Sequence, residues 1–182
     1  VLFVFVVCLY FVCIGGGVWD PPAGDRGASE RSPTVLRPLA ACDTTLLSSW
    51  SAEGVTVTLD SVALTRAARG GYEVCEVRGT IAPSIGFVVQ LPTTEYRQRY
   101  LQIGCGGLCG RTDSEAPQTD GCAPLTDGEF VTATNDLGHV GADGAFGREP
   151  RLRADFAYRA DHTVAVVAKQ LINEFYGEPP EW

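Results

Sequence analysis

Methionine is absent from all 182 residues of the chain, including the first. We therefore expect the sequence to begin inside a longer reading frame. Cationic side chains are scarce as well. Fourteen Lys and Arg against 22 Asp and Glu leave a formal net charge of −8. That balance argues against a nucleic-acid partner, which requires a basic stripe. Histidine occurs only at His139 and His162. Cys105 and Cys109 are four apart, but no Cys/His pair at metal-ligand spacing follows them, so no metal site is expected. No apolar run reaches the roughly 20 residues that a membrane-spanning helix needs. Finally, none of the eight serines sits in a Gly-x-Ser-x-Gly setting, the small-residue elbow that exposes a hydrolase nucleophile.

What is present starts with an uncharged apolar stretch, Val1–Ile14, followed by Gly15, Gly16 and Gly17. Its length is that of a signal-peptide core. We expect residues 1–18 to be a leader removed on export. Five cysteines lie beyond it: Cys42, Cys75, Cys105, Cys109 and Cys122. Such a density in an exported chain points to disulfides. Residues 19–41 are rich in Pro, Gly, Ser and Arg without apolar period and read as a flexible linker. The folded domain is expected over residues 42–182, a length suited to one domain.

Within that domain, Cys42–Trp50 reads as a short helix and Val55–Leu59 as a strand of alternating β-branched residues. Tyr72–Ile81 and Phe87–Leu91 read as strands whose short connection makes them antiparallel. Tyr100–Ile103 and Glu129–Thr134 are further strands. Two long loops separate these last elements, Gly104–Gly128 and Asn135–Pro150; loops of such length are commonly functional or pinned. Asp155–Tyr176 is the clearest helix, with Val164, Val167, Ala168, Leu171, Ile172 and Phe175 on one face. Gly177 stands at its C′ position and Pro179–Pro180 stops it. This order, antiparallel strands and then strand, loop, strand and helix, suits an α/β sheet.

The most informative run is Tyr100–Gly110. A short strand empties into a loop holding Gly104, Gly106, Gly107 and Gly110. Glycine permits positive φ and close approach of the backbone to a ligand. Bare amides at the end of a strand are what an oxyanion hole needs, and in α/β-type serine hydrolases one donor comes from a loop of this kind.

Five segments in order carry a resemblance: Val74–Thr80 with Gln90–Pro92, Arg99–Gly110, Val131–Val140, Asp155–His162, and Ala168–Ile172 with Glu174–Gly177. Together they resemble the tannase/feruloyl esterase family of secreted α/β-hydrolases over roughly Cys42–Trp182. The resemblance implies the N-terminal part of an α/β-hydrolase fold, truncated before the nucleophile elbow. It implies a serine carboxylic-ester hydrolase acting on small aromatic-acid esters of the feruloyl or galloyl type. A Ser-His-Asp triad and a lid domain able to hold calcium would lie past Trp182. No catalytic residue, cofactor, nucleic acid or stable membrane insertion is expected for the chain up to Trp182. The reading from another class is a non-catalytic secreted binding module derived from a hydrolase.

Gly106, Gly107 and Leu108 are the candidates for the oxyanion loop, Gly107 foremost. Asp136 and His139, three apart after a strand, tempt a triad reading; since the resemblance puts the catalytic pair downstream, they are assigned to a pocket wall or a structural role. Arg159 or His162 could pair with Asp136 or Asp155, and Asp155 and Asp161 suit a helix N-terminus. We pair Cys42 with Cys75, and Cys109 with Cys122; Cys105 with Cys122 is the alternative.

Overall fold

The computed structural model describes residues 33–47, 55–113 and 119–182. The expected leader and residues 19–32 of the expected linker lie outside these. Among the described residues, five strands form one sheet: β1 (Val57–Arg66), β2 (Glu73–Ile81), β3 (Ile85–Pro92), β4 (Arg99–Ile103) and β5 (Phe130–Asn135). Their spatial order is β1-β2-β3-β5-β4. The first three form an antiparallel meander, and β5 runs antiparallel to β3. Of these five, only β4 and β5 pair in parallel.

Alternation along the strands divides the sheet into two faces. Cys75, Val77 and Ile81 of β2 and Ile85, Phe87, Val89 and Leu91 of β3 join the core. The opposite face carries a polar row. Arg78 Nε and Gln90 Nε2 both donate to the Glu76 carboxylate, at 2.7 and 2.9 Å, and the Thr132 hydroxyl reaches Gln90 Oε1 at 3.5 Å. Register places Glu76 beside Gln90 and Gln90 beside Thr132, so the row crosses β2, β3 and β5.

The α-helices among the described residues are α1 (Ala123–Thr126), α2 (Pro150–Ala154) and α3 (Ala160–Tyr176), with a π-helical turn, Asp155–Arg159, joining the last two and a 3-10 turn, Ala145–Arg148, before α2. The helical run thus starts five residues before the expected Asp155. Pro150 explains this, because its fixed φ and missing N–H suit a first helical position. The apolar stripe of α3 is buried as its spacing requires, with Ala160, Thr163 and Tyr176 added. It packs on β3 and β5. Each of its large side chains contributes about 1.5–3 kcal/mol by leaving water. Gly177 closes the helix with φ +80°, its N–H donating to Asn173 O at 2.8 Å.

Two expectations need correction at the N-terminal side. Residues 33–41, expected as flexible linker, are pinned across the end of α3. The Leu39 N–H donates to Phe175 O at 2.7 Å and the Leu36 N–H to Tyr96 O at 2.8 Å. Carbonyls at a helix end need outside donors, and this segment supplies two to Phe175 O, the Leu39 N–H and, at 3.3 Å, the Ala40 N–H. The helix expected from Cys42 is only a 3-10 turn, Thr44–Leu47, capped by Asp43 Oδ1, which accepts the Thr45 N–H at 2.8 Å; residues 48–50 lie outside the described set. Cys42 is disulfide-bonded to Cys75, with Cα atoms 5.6 Å apart, and ties this segment to β2.

The far edge of the sheet is met by the C-terminal residues. The Tyr100 N–H donates to Trp182 O at 2.8 Å, and the Trp182 N–H donates to Gln98 O at 3.2 Å. These two bonds bracket Arg99, the pattern of a parallel strand bridge. After α3 the chain therefore returns alongside β4 in the same direction.

Candidate functional site

Because β4 and β5 are parallel, their carboxyl ends lie at one edge of the sheet. The loops that begin at Gly104 and Asp136 leave side by side. Crevices outside the carboxyl ends of such strands are where α/β sheets take ligands.

The first loop holds the candidates Gly106, Gly107 and Leu108. It turns sharply: the Cys109 N–H donates back to Gly106 O at 3.2 Å, and Gly107, Cys109 and Gly110 all have positive φ, at 64°, 59° and 79°. A Cβ built on Gly104, Gly106 or Gly107 would meet no heavy atom within 4 Å. Leu108 is exposed. This side of the loop is open backbone. The turn also brings the Cα atoms of Cys105 and Cys109 to 5.2 Å, within disulfide reach, and the structure joins these two in place of the expected Cys109–Cys122 or Cys105–Cys122 pair.

The second loop is built by two side chains at the end of β5. Asn135 Oδ1 accepts the Leu137 N–H at 2.9 Å, and Asp136 Oδ1 accepts the Gly138 N–H at 2.8 Å. Both are Asx turns, in which a side chain stands in for a backbone carbonyl. Asp136 Oδ1 also accepts the Gly86 N–H at 3.0 Å, so this residue ties β5 to the β2–β3 hairpin. Burial pushes the Asp136 carboxyl above the usual carboxylate range, and the Gly138 and Gly86 amides and nearby His139 pull it part of the way back. The Ser84 hydroxyl, also from the hairpin, donates to Gly138 O at 2.8 Å.

The loops are fastened to each other and to the helix. The Gly141 N–H donates to Gly110 O at 3.0 Å. Gly138 lies against Asp155, where a Cβ would come within 2.7 Å of the Asp155 Cβ. Asp155 is fully buried and paired with Arg159, one of the partnerships expected; His162 is exposed on α3. Asp161 accepts Asn135 Nδ2 at 2.9 Å and Gln102 Nε2 at 3.2 Å, joining both strand ends to α3. The Tyr100 hydroxyl donates to Gln102 Oε1 at 2.7 Å, and its burial, with the Asp161 charge beside it, holds the phenol well above its ordinary range. Sequence reasoning did not find this network: it read Asp161 only as suiting a helix N-terminus, and nothing in the spacing of Gln102, Asn135 and Asp161 brings the three together.

His139 is 8% exposed, and its ring stacks on Phe146 with centroids 4.0 Å apart. Neither ring nitrogen has a hydrogen-bond partner among the described residues. The imidazole borders a cleft of about 440 Å³ shared with Ser84, Val140, Asp143, Phe146 and Leu152. Among the described residues, no three His, Cys, Asp or Glu side chains are grouped to hold a metal ion, and no helix is long and apolar enough to cross a membrane.

A mixed α/β sheet with a glycine loop at the carboxyl ends of its parallel strand pair, covered on one face by a long helix, is the class of protein these elements define. The chain belongs to the tannase and feruloyl esterase family, whose model matches residues 69–182. It is 34% identical over 110 residues to a probable feruloyl esterase B-2 of Aspergillus terreus, covering 58% of this chain and 20% of that protein. It is 40% identical over 85 residues to a probable feruloyl esterase B-2 of Neosartorya fischeri, covering 46% of this chain and 15% of that protein. The chain thus spans about a fifth or less of the length of these relatives. Feruloyl esterase B from Aspergillus oryzae superposes with a TM-score of 0.60 at 26% identity, covering 75% of this chain and 29% of that one. Tannin acyl hydrolase from Aspergillus niger superposes with a TM-score of 0.53 at 15% identity, covering 82% and 32%, a likeness of fold.

Proposed function

We propose that this chain is the oxyanion-loop portion of a secreted serine carboxylic-ester hydrolase acting on small aromatic-acid esters. Residues 1–18 act as its export leader. The glycine loop on the edge shared by β4 and β5 is the observation that carries this reading. An acyl transfer passes through a tetrahedral intermediate whose oxygen becomes anionic. A fixed N–H from Gly107 or a neighbour stabilises that charge, and the two-point fastening of the loop, through Cys105–Cys109 and the Gly110–Gly141 hydrogen bond, keeps it from reorganising during the reaction. The nucleophile enters on a strand that continues from Trp182 along β4, toward the same edge. The parallel bridge at Arg99 supports that direction. The serine attacks the ester carbonyl, a histidine takes its proton and returns it to the leaving alcohol, and an aspartate orients the histidine. All three belong to the longer protein.

The test uses two forms. Residues 1–182 alone are expected to hydrolyse neither methyl ferulate nor methyl gallate, since the serine is missing. In the full-length enzyme, Gly107→Val is expected to lower kcat by about 10²–10³, the usual cost of one oxyanion donor, with the protein still folded. Unchanged kcat in folded Gly107→Val would sink the oxyanion assignment. Turnover by residues 1–182 that disappears on replacing any one serine would sink the placement of the triad.

A further inference from the structure

We propose that the Asp161 carboxylate is a positioning group for the glycine loop: through Gln102 and Asn135 it sets where the open amides at Gly106 and Gly107 point. The role rests on the oxyanion reading above and extends it to a residue outside the loop. The parallel ladder between β4 and β5 ends at the pair Ile103–Thr134, and both loops leave just beyond it. Asp161 Oδ1 stands at this point. It accepts Asn135 Nδ2 at 2.9 Å and Gln102 Nε2 at 3.2 Å, so one oxygen on α3 takes an amide from the end of each strand. Helical structure is continuous from Pro150, so Asp161 faces no open helix end that would account for its charge.

A side-chain amide is nearly symmetric in shape, but one end donates and the other accepts. Asn135 is buried between an acceptor, Asp161, and a donor, the Leu137 N–H, which its Oδ1 accepts at 2.9 Å. Only one orientation satisfies both. Gln102 is set in the same way. Its Oε1 accepts the Tyr100 hydroxyl at 2.7 Å, a phenol that burial and the Asp161 charge hold well above its ordinary range, and its Nε2 turns to Asp161. Both residues reach the glycine loop directly. The main-chain oxygen of Asn135 lies 3.6 Å from Cys105 Sγ and 3.5 Å from Cys109 Sγ, against the disulfide that closes Gly106–Leu108. Gln102 stands two residues ahead of Gly104. Without the carboxylate the two strand ends lose their common partner, and a catalytic group displaced by about 1 Å can cost about 10² in rate.

Asp161 is exposed and alanine is the better helix former, so Asp161→Ala is expected to fold with a Tm close to wild type. In the 182-residue chain labelled with nitrogen-15, this variant should shift the Gly106 and Gly107 amide resonances and quicken Leu137 N–H exchange about tenfold. Asn135→Asp sets two carboxylates face to face and should shift the same glycine resonances. Combining Asn135→Asp with Asp161→Asn exchanges donor and acceptor. The introduced amide donates to the introduced carboxylate and still offers its oxygen to Gln102, while Leu137 keeps its acceptor. The double variant should therefore return the glycine resonances toward wild type. In the full-length enzyme each single variant should lower kcat on methyl ferulate about tenfold, with KM changed by less than about twofold, and the double variant should recover kcat. Unmoved Gly106 and Gly107 resonances in both single variants, or a double variant no closer to wild type than either, would overturn the positioning role. Resonances that respond while kcat does not would uphold the positioning and sink the oxyanion reading instead.

Discussion

Gly110→Ala isolates the docking of the two loops, and its cost can be worked from the structure. Gly110 has φ +79°, and a Cβ there would sit 2.0 Å from Gly141 O and 2.7 Å from Gly141 N. The obstacle is backbone, which no rotamer change can move aside. An alanine forced into the left-handed region costs about 1–2 kcal/mol. Separating the loops gives up the Gly141–Gly110 hydrogen bond, about 1 kcal/mol, and the strain of overpacking adds about 1–3 kcal/mol. The sum is about 4 kcal/mol, a fall in Tm of roughly 8–16 °C for a chain of this size. Gly107→Ala is the internal control. Its φ is +64°, but nothing lies within 4 Å of the added Cβ, so only the conformational cost of about 1–2 kcal/mol applies. Urea unfolding followed by circular dichroism, with thermal scans beside it, measures both variants. Equal losses in the two, or a Gly110→Ala variant within about 1 kcal/mol of wild type, would refute the docking argument.

Other outcomes follow from single contacts. Replacing Cys42 and Cys75 together by serine opens a cross-link with a sequence separation of 33. It should destabilise the chain by about 3–4 kcal/mol in the chain-entropy model, read as a shift in the urea midpoint. Asp136→Asn should change how stability depends on pH. Burial raises the folded-state pKa of Asp136 above 3.8, so its stabilising contribution is full below that value and is lost as pH rises through the folded pKa. Asparagine keeps an Oδ1 acceptor for the Gly86 and Gly138 amides and does not ionise. Relative to wild type, the variant should therefore gain stability between about pH 3 and pH 7; a constant difference across that range would contradict the sign.

Local periodicity made part of this fold legible. The stripe from Val164 to Phe175, the Gly177 cap and the short connection between β2 and β3 are all written within a few residues. β1 was harder: it runs on to Arg66, past the expected Leu59, through Asp60, Ser61 and Thr65 and a register shift between Leu59 and Ser61. A strand at the sheet edge, exposed along much of its length, shows little apolar alternation to read. Residues 33–41 were misread because backbone hydrogen bonds to Tyr96 and Phe175 leave no mark on side-chain composition. The Cys105–Cys109 pairing was missed for a related reason. Spacing alone cannot report that Gly107 and Cys109 both turn left-handed and fold the loop back on itself.

The glycines at the strand ends sort by what the fold asks of them. Two left-handed pairs recur there, Cys109–Gly110 after β4 and Leu137–Gly138 after β5. In each pair the second residue lets a neighbour approach: Gly141 at Gly110, and Asp155 at Gly138. Gly86 belongs with them, since a Cβ there would fall 2.6 Å from Asp136 Oδ2. These three are explained by packing alone. Gly104 and Gly106 are not, for their φ values are unremarkable and the space beside them is open, and Gly107 has a turn to make but no neighbour to accommodate. Gly104, Gly106 and Gly107 thus leave open backbone on a loop that is stapled internally by Cys105–Cys109 and tied to Gly141 at Gly110. In the proposed reading, the oxyanion assignment therefore rests on Gly106 and Gly107, where packing leaves the backbone open, and not on Gly110, which packing requires.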